Sequence, residues 1–297
     1  MLDLRNQEVT LNRMCLRGIM VAMIKFVKAR WSRLPLREFS RRRRRLARSK
    51  SYFTQNQTLA RAWSKKHTEF SNFYYDLTPK NRMELASLIA AFFDTNIHDV
   101  LEYFKEVDSD PVLNTKLEDF KSNSPQLKDS SMLIGRRLGW YAIARIIKPA
   151  VVVETGVHHG VGALVLSRAL QLNRSEGFKG AYFGTDIDLN AGFLIKDFLS
   201  ENCSVLYGDS IESLRTFGDQ TIDLFINDSD HSVIYEYQEF LEVESKLSKR
   251  GIILGDNSHI SDSLMRFSME KNRRFVFFAE KPLNHWYPGA GIGISLP

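Results

Sequence analysis

The 297-residue sequence is poor in cysteine and has no long apolar run. Its two cysteines, Cys15 and Cys203, cannot build a disulfide framework and match no zinc-ligand spacing. A reducing, cytoplasmic compartment is therefore expected. No apolar stretch approaches the roughly 18 residues of a membrane-spanning helix. The best candidate, Gly18 to Ile24, is seven residues long and ends at Lys25, which excludes an integral membrane protein. A small-residue cleavage site after that run is missing, against a secretory signal, and Asp3 and Glu8 argue against a mitochondrial transit peptide.

What is present is an uneven charge. Residues 1–50 hold 15 Lys+Arg against 3 Asp+Glu, a net +12, whereas residues 51–297 hold 26 against 32, a net −6. The acidic body gives no reason to expect nucleic acid as substrate. In the basic part, the stretch from Leu11 to Trp31 has helical periodicity: Arg13, Arg17, Lys25, Lys28 and Ser32 share one face, and Leu16, Ile19, Met20, Met23, Ile24 and Val27 lie on the rest. Arg41–Arg45, Arg48 and Lys50 follow it. A basic, amphipathic or flexible tail over 1–50 suits peripheral contact with an anionic inner-membrane surface, at about 1 kcal/mol per near-surface charge.

Residues 51–148 read as an accessory helical region. Thr78-Pro79 caps a helix through Phe93, Asn96 to Val107 and Pro111 to Phe120 give two more, and Ser131 to Ile147 a longer one stopped by Pro149. From residue 149 onward short β-rich runs alternate with helical stretches, the signature of a doubly wound, mostly parallel α/β sheet. Leu189 to Leu199 and His231 to Leu247 are among the helices expected there. In such sheets ligands bind at the carboxyl ends of the strands, where strand order reverses.

The first strand runs into Glu154-Thr155-Gly156-Val157-His158-His159-Gly160. Glycines there let backbone approach a nucleotide-like ligand, with a helix N-terminus behind. Gly156 and Gly160 are separated by three residues, which is not the dinucleotide fingerprint and better suits a nucleoside with an amino-acid tail. Asp186 ends the second strand, 30 residues after Gly156, where a carboxylate can accept both ribose hydroxyls. Asp209-Ser210 ends the third, with Asp209 placed to accept from an adenine amino group or to cap the next helix. His158 and His159 are expected to act through their backbone amides.

These residues resemble the class I S-adenosylmethionine-dependent methyltransferases over about 130–297. The stretch Phe225-Ile226-Asn227-Asp228-Ser229-Asp230-His231-Ser232 is similar to the small-molecule and sugar O-methyltransferases grouped as family 24. The resemblance implies a Rossmann-like sheet of seven strands whose last, Gly291 to Leu296, is antiparallel. It assigns the cofactor S-adenosyl-L-methionine to Glu154, Thr155, Gly156, Val157, Gly160, Asp186, Asp209, Ser210 and Asp228. Asp228 and Asp256-Asn257 close two neighbouring strands, an arrangement similar to that of catechol O-methyltransferase and its relatives. There such residues hold Mg²⁺, and two carboxylates with an amide oxygen suit a hard octahedral cation. Asp228 and His231 are the implied catalytic residues, with His231 standing where the catechol enzyme has a lysine base.

The expected activity is thus Mg²⁺-assisted O-methylation of a small-molecule or sugar hydroxyl. The alternatives are a metal-independent methyltransferase acting on an amine, carboxylate or glycan, and a non-catalytic cofactor-binding module docked by its basic tail. His259 and the aromatics of the Pro282 to Gly289 loop, His285, Trp286 and Tyr287, are candidates for acceptor contacts. Acceptor identity and oligomeric state, homo-oligomer included, stay open.

Overall fold

The computed structural model describes residues 20–25, 36–66, 73–123, 134–198 and 202–297. The chain forms two compact units, Met1–Thr58 and Leu59–Pro297. Of the expected tail helix, residues 20–25 are helical and the remainder lies outside the described residues. Helix α1, Leu36–Trp63, contains the whole arginine run, so the boundary expected at residue 50 falls inside a continuous helix.

In the second unit, α2 (Pro79–Phe92), α3 (Ile97–Ser109) and α4 (Pro111–Asn123) precede α5 (Arg137–Ile147). Thr78 caps α2 by accepting from the Asn81 amide, and Asn96 caps α3 by accepting from that of His98. Helix α5 starts at Arg137 rather than at the expected Ser131, because Gly135 turns through a left-handed φ of 56° just before it. Residues 131–133 lie outside the described set.

Then come β1 (Val151–Thr155), α6 (Val161–Ser175), β2 (Ala181–Asp186), β3 (Cys203–Tyr207), α7 (Ser210–Arg215), β4 (Ile222–Asn227), α8 (Val233–Glu244), β5 (Leu247–Gly255), α9 (Ser263–Glu270), β6 (Arg274–Ala279) and β7 (Gly291–Leu296). The helix expected over Leu189 to Leu199 shrinks to a 3₁₀ segment, Phe193–Phe198. Before it, the Asp188 side chain accepts from the Asn190 amide and Gly192 has φ 75°, both turn features. Helix α8 begins two residues later than expected, where the Ser232 hydroxyl accepts from the Tyr235 amide.

The sheet has the order β3-β2-β1-β4-β5-β7-β6, with β7 antiparallel to both its neighbours. Alternation along the strands splits the core. Val152, Leu224, Ile226, Ile252 and Leu254 face Trp140, Tyr141 and Leu164 of α5 and α6. Val153, Phe225 and Ile253 face Phe240 and Phe267 of α8 and α9. Strand order reverses between β1 and β4, so the crevice for a ligand opens at their carboxyl ends.

Asn81 docks the helical region on the sheet. Its side chain is fully buried, donates to the Ala279 carbonyl at 3.1 Å and accepts from the Lys281 amide at 2.7 Å. Asn81→Ala leaves two buried backbone groups unpaired and is expected to cost about 1–3 kcal/mol, read from urea unfolding.

Candidate active site

The β1–α6 turn is shaped by close backbone contacts. Gly156 has φ 84°, and a Cβ there would overlap the Asp228 carbonyl oxygen and lie 2.7 Å from the Ser229 Cα. Gly160 has φ 94° and starts α6, with only 3.2 Å between a built Cβ and the Gly192 Cα. The His158 amide donates to Asp186 Oδ2 at 2.7 Å, and the Asp188 amide to Oδ1 at 2.8 Å. Asp186 thus anchors the glycine turn and still lines the cavity beside it.

That cavity measures about 740 Å³, within the range of small-molecule and cofactor sites. Gly156, Val157, Asp186, Asp209, Ser210, Asp228, His231 and Asp256 line it, whereas Gly160 and Asn257 do not. Asp209 also caps α7, accepting from the Glu212 amide at 3.0 Å and the Tyr235 hydroxyl at 2.8 Å. The amide bond holds its carboxyl below the usual range. Asp209 is thus a helix cap that also lines the cavity.

Glu154 and Thr155 are corrections. Neither lines the cavity. Glu154 is 1% exposed and lies under the turn, where the Tyr182 hydroxyl donates to Oε2 at 2.5 Å. Gly162 in α6 lies so close above it that a Cβ would overlap Oε1. Thr155 donates to Glu239 Oε2 at 3.3 Å. Both support the loop from below. His158 and His159 both line the cavity, and the His158 backbone amide is the donor to Asp186. Burial pushes the His159 pKa down to about 4.

Sequence reasoning missed three residues. Glu239, fully buried, accepts from Ser210, Thr155, Asn227 and Ser229, tying together the ends of three strands. The available signal was a pair of acids, Glu236 and Glu239, on the face of α8 that also buries Phe240 and Val243. The other two are Arg136 and Arg137, an adjacent pair at the start of an apolar helix, and both line the cavity.

Those arginines decide the metal question. Arg136 forks onto Asp256, Nε to Oδ1 and Nη2 to Oδ2, the latter at 2.6 Å. Arg137 Nη2 is 3.7 Å from Asp228 Oδ2. Asn257 is fully buried away from the cavity, its Oδ1 against Nδ1 of His231. Burial and the neighbouring Asp256 raise the Asp228 pKa. Burial opposes ionisation of Asp256 too, but the Arg136 guanidinium prevails and lowers it. Among the described residues no group of three or more His, Cys, Asp or Glu is placed to hold a metal ion. The set Asp228, Asp256 and Asn257, as arranged here, does not fit Mg²⁺.

The far side of the cavity is aromatic. Phe73, Tyr74 and Tyr287 line it, and the Tyr287 hydroxyl lies 3.1 Å from His259 Nε2. Trp286 and His285 instead pack in an aromatic cluster with Trp63, Phe73 and Tyr75.

Strand order, glycine turn and strand-end acids have the arrangement that the resemblance implies. Residues 153–258 match the family model Methyltransf_24, described as a methyltransferase domain. No curated protein matches the chain. Among solved structures, the Podospora anserina methyltransferase PaMTH1, bound to S-adenosylhomocysteine, is 17% identical, with 71% of this chain and 94% of that one covered and a TM-score of 0.47. The Bacillus cereus O-methyltransferase in complex with S-adenosylhomocysteine is 15% identical, covering 65% and 96% with a TM-score of 0.48. A putative caffeoyl-CoA O-methyltransferase from Staphylococcus aureus is 11% identical, covering 68% and 99% with a TM-score of 0.48.

Glu154 and Glu239 are both pushed up to about 7, chiefly by burial and against hydrogen bonds that favour ionisation. Between the ordinary value of 4.5 and about 7 the folded chain keeps protons that the unfolded chain has released. Stability therefore falls as pH rises through that window and levels off above it. Glu154→Gln is expected to gain stability relative to the parent between about pH 5 and about pH 8. Urea midpoints of both proteins at both ends of the window check this, and a pH-independent gap contradicts it.

Proposed function

We propose that this protein transfers the methyl group of S-adenosylmethionine to a hydroxyl of a small, ring-bearing acceptor. The supporting observation is a single cavity lined both by the Gly156 turn, Asp186, Asp209 and Asp228 and by Phe73, Tyr74 and Tyr287. The nucleoside end of the cofactor is taken by Asp186 and Asp209, and its amino-acid end by the turn and Asp228. Aromatic side chains offer a flat apolar surface to an acceptor ring or sugar face.

In the transfer, an oxygen lone pair of the acceptor attacks the sulfonium methyl in line. The carbon–sulfur electron pair stays on sulfur, giving the neutral thioether, while the acceptor's proton passes to His231. The Asn257 carbonyl oxygen receives the His231 Nδ1–H, which leaves Nε2 as the nitrogen able to take that proton. Holding oxygen and methyl at contact distance supplies the rest of the acceleration. The Mg²⁺ expected from the resemblance has no fitting donor set here, and no step runs through it.

Calorimetric titration of S-adenosylhomocysteine into the full chain tests the cofactor half. One-to-one binding is expected, lost in Gly156→Ala, whose added methyl collides with the Asp228 carbonyl. Absence of binding to the parent chain contradicts the reading. With an acceptor found by screening hydroxylated aromatics and sugars, His231→Ala is expected to lower kcat about 10²–10⁴-fold with cofactor affinity unchanged.

We also propose that α1 docks on an anionic lipid surface. Phe39, Leu46 and Phe53 recur every seven residues along this helix, all more than half exposed, among the arginines of Arg41–Arg45. Flotation with phosphatidylserine vesicles, lost when Arg41–Arg45 become Gln, is the expected outcome. Equal flotation with neutral vesicles contradicts it.

A further inference from the structure

We infer that the Arg136 guanidinium takes the place of the divalent cation in this site, so that the acceptor oxygen is held by N–H donors and no metal is needed. The inference deepens the methyl-transfer reading and rests on it for what the cation position does. Its geometric basis is independent.

Four polar side chains converge at the ends of β4, β5 and β6: Asp228, Asp256, Asn257 and Glu280. A hexacoordinate cation needs several of their oxygens turned to one point. Both Asp256 oxygens are instead taken by the Arg136 fork. Glu280 is buried, with Oε2 accepting from the Tyr75 hydroxyl at 2.7 Å and lying 3.8 Å from Arg136 Nη1. Asn257 directs its oxygen to His231. What remains is Asp228, faced by Arg137 at 3.7 Å, and one buried Glu280 oxygen, Oε1, which has no hydrogen-bond partner.

Charge points the same way. Three carboxylates meet two guanidiniums, so the cluster is nearly neutral before any ion is added. A divalent ion would bring two further positive charges next to a guanidinium that cannot deprotonate and step aside. Arg136 is also held in place by the backbone. Gly135 turns at φ 56°, and a Cβ there would sit 3.2 Å from the Tyr75 carbonyl oxygen, in the segment that supplies the Glu280 partner. Arg136 lines the cavity and has five N–H groups, more than Asp256 and Glu280 use. Those left over can donate to an acceptor oxygen and aim it, whereas the proton still goes to His231.

The test uses Mn²⁺ alone as the probe, with the full chain, followed through loss of the free-ion electron paramagnetic resonance signal. The parent protein is expected to leave that signal unchanged. Arg136→Ser, with Arg136→Gln as a bulkier second variant, is expected to gain one Mn²⁺ site, at least about tenfold tighter than any binding by the parent. Adding Asp256→Asn to either variant is expected to remove it. Stoichiometric Mn²⁺ binding by the parent that Asp256→Asn abolishes overturns the inference, as do folded Arg136 variants that ignore Mn²⁺. Should neither variant fold, the parent measurement still decides. S-adenosylhomocysteine calorimetry on the same parent sample separates the two readings: its failure counts against methyl transfer, whereas the Mn²⁺ result counts for or against Arg136.

Discussion

The contact on which the site depends is between two backbones, Gly156 at the end of β1 and the carbonyl of Asp228 at the end of β4. The two strands pair in parallel at the centre of the sheet, and their carboxyl ends leave no room for a side chain between them. Closure at this point fixes both halves of the cavity. It sets the glycine turn against Asp186 on one side and brings Asp228 to the floor on the other. Beneath it, Glu239 gathers hydroxyl and amide donors from the ends of β1, β4 and the β3–α7 turn. One buried carboxyl thus ties three loops that must stay in register for a ligand to be held at all.

Much of this was legible in the sequence, because the relevant signals are local. Apolar alternation located the strands, glycine spacing located the turn, and an acid at the end of each strand needs only the strand to be placed. Asp186, Asp209 and Asp228 reach the cavity for that reason. Glu154 does not, although it follows the same rule. It is one residue short of the strand's last position, and side chains alternate across a strand, so it points under α6 while the turn after it faces the cavity. Its burial is what lifts its pKa, a sign of a supporting residue rather than a solvated ligand contact.

The expected metal set meets an obstacle of a different kind. Asp228, Asp256 and Asn257 occur where the resemblance places them, but a ligand set is defined by what the oxygens face, and that depends on residues distant in sequence. Arg136 lies 120 residues before Asp256 and nothing local connects them. A carboxylate pair brought together in a dry site requires a positive partner. Whether that partner is an ion or a guanidinium is settled by whichever side chain the preceding helix delivers. Here α5 delivers two arginines, and the electrostatic need is met before any ion arrives.

The family match and the cavity also divide along a physical line. Residues 153–258 contain the glycine turn and the strand-end acids Asp186, Asp209, Asp228 and Asp256, the part of the cavity that matches a methyltransferase domain. Phe73, Tyr74, Arg136 and Arg137 come before that stretch, and His259, Ile260 and Tyr287 after it. The rest of the cavity wall is therefore built from the two ends of the second unit, joined where Asn81 bridges α2 to the end of β6 and Leu77 pairs with Pro282. Under the proposed transfer, acceptor selectivity follows from how those two ends pack on each other, and the paired arginines at the start of α5 are where that packing reaches the cavity.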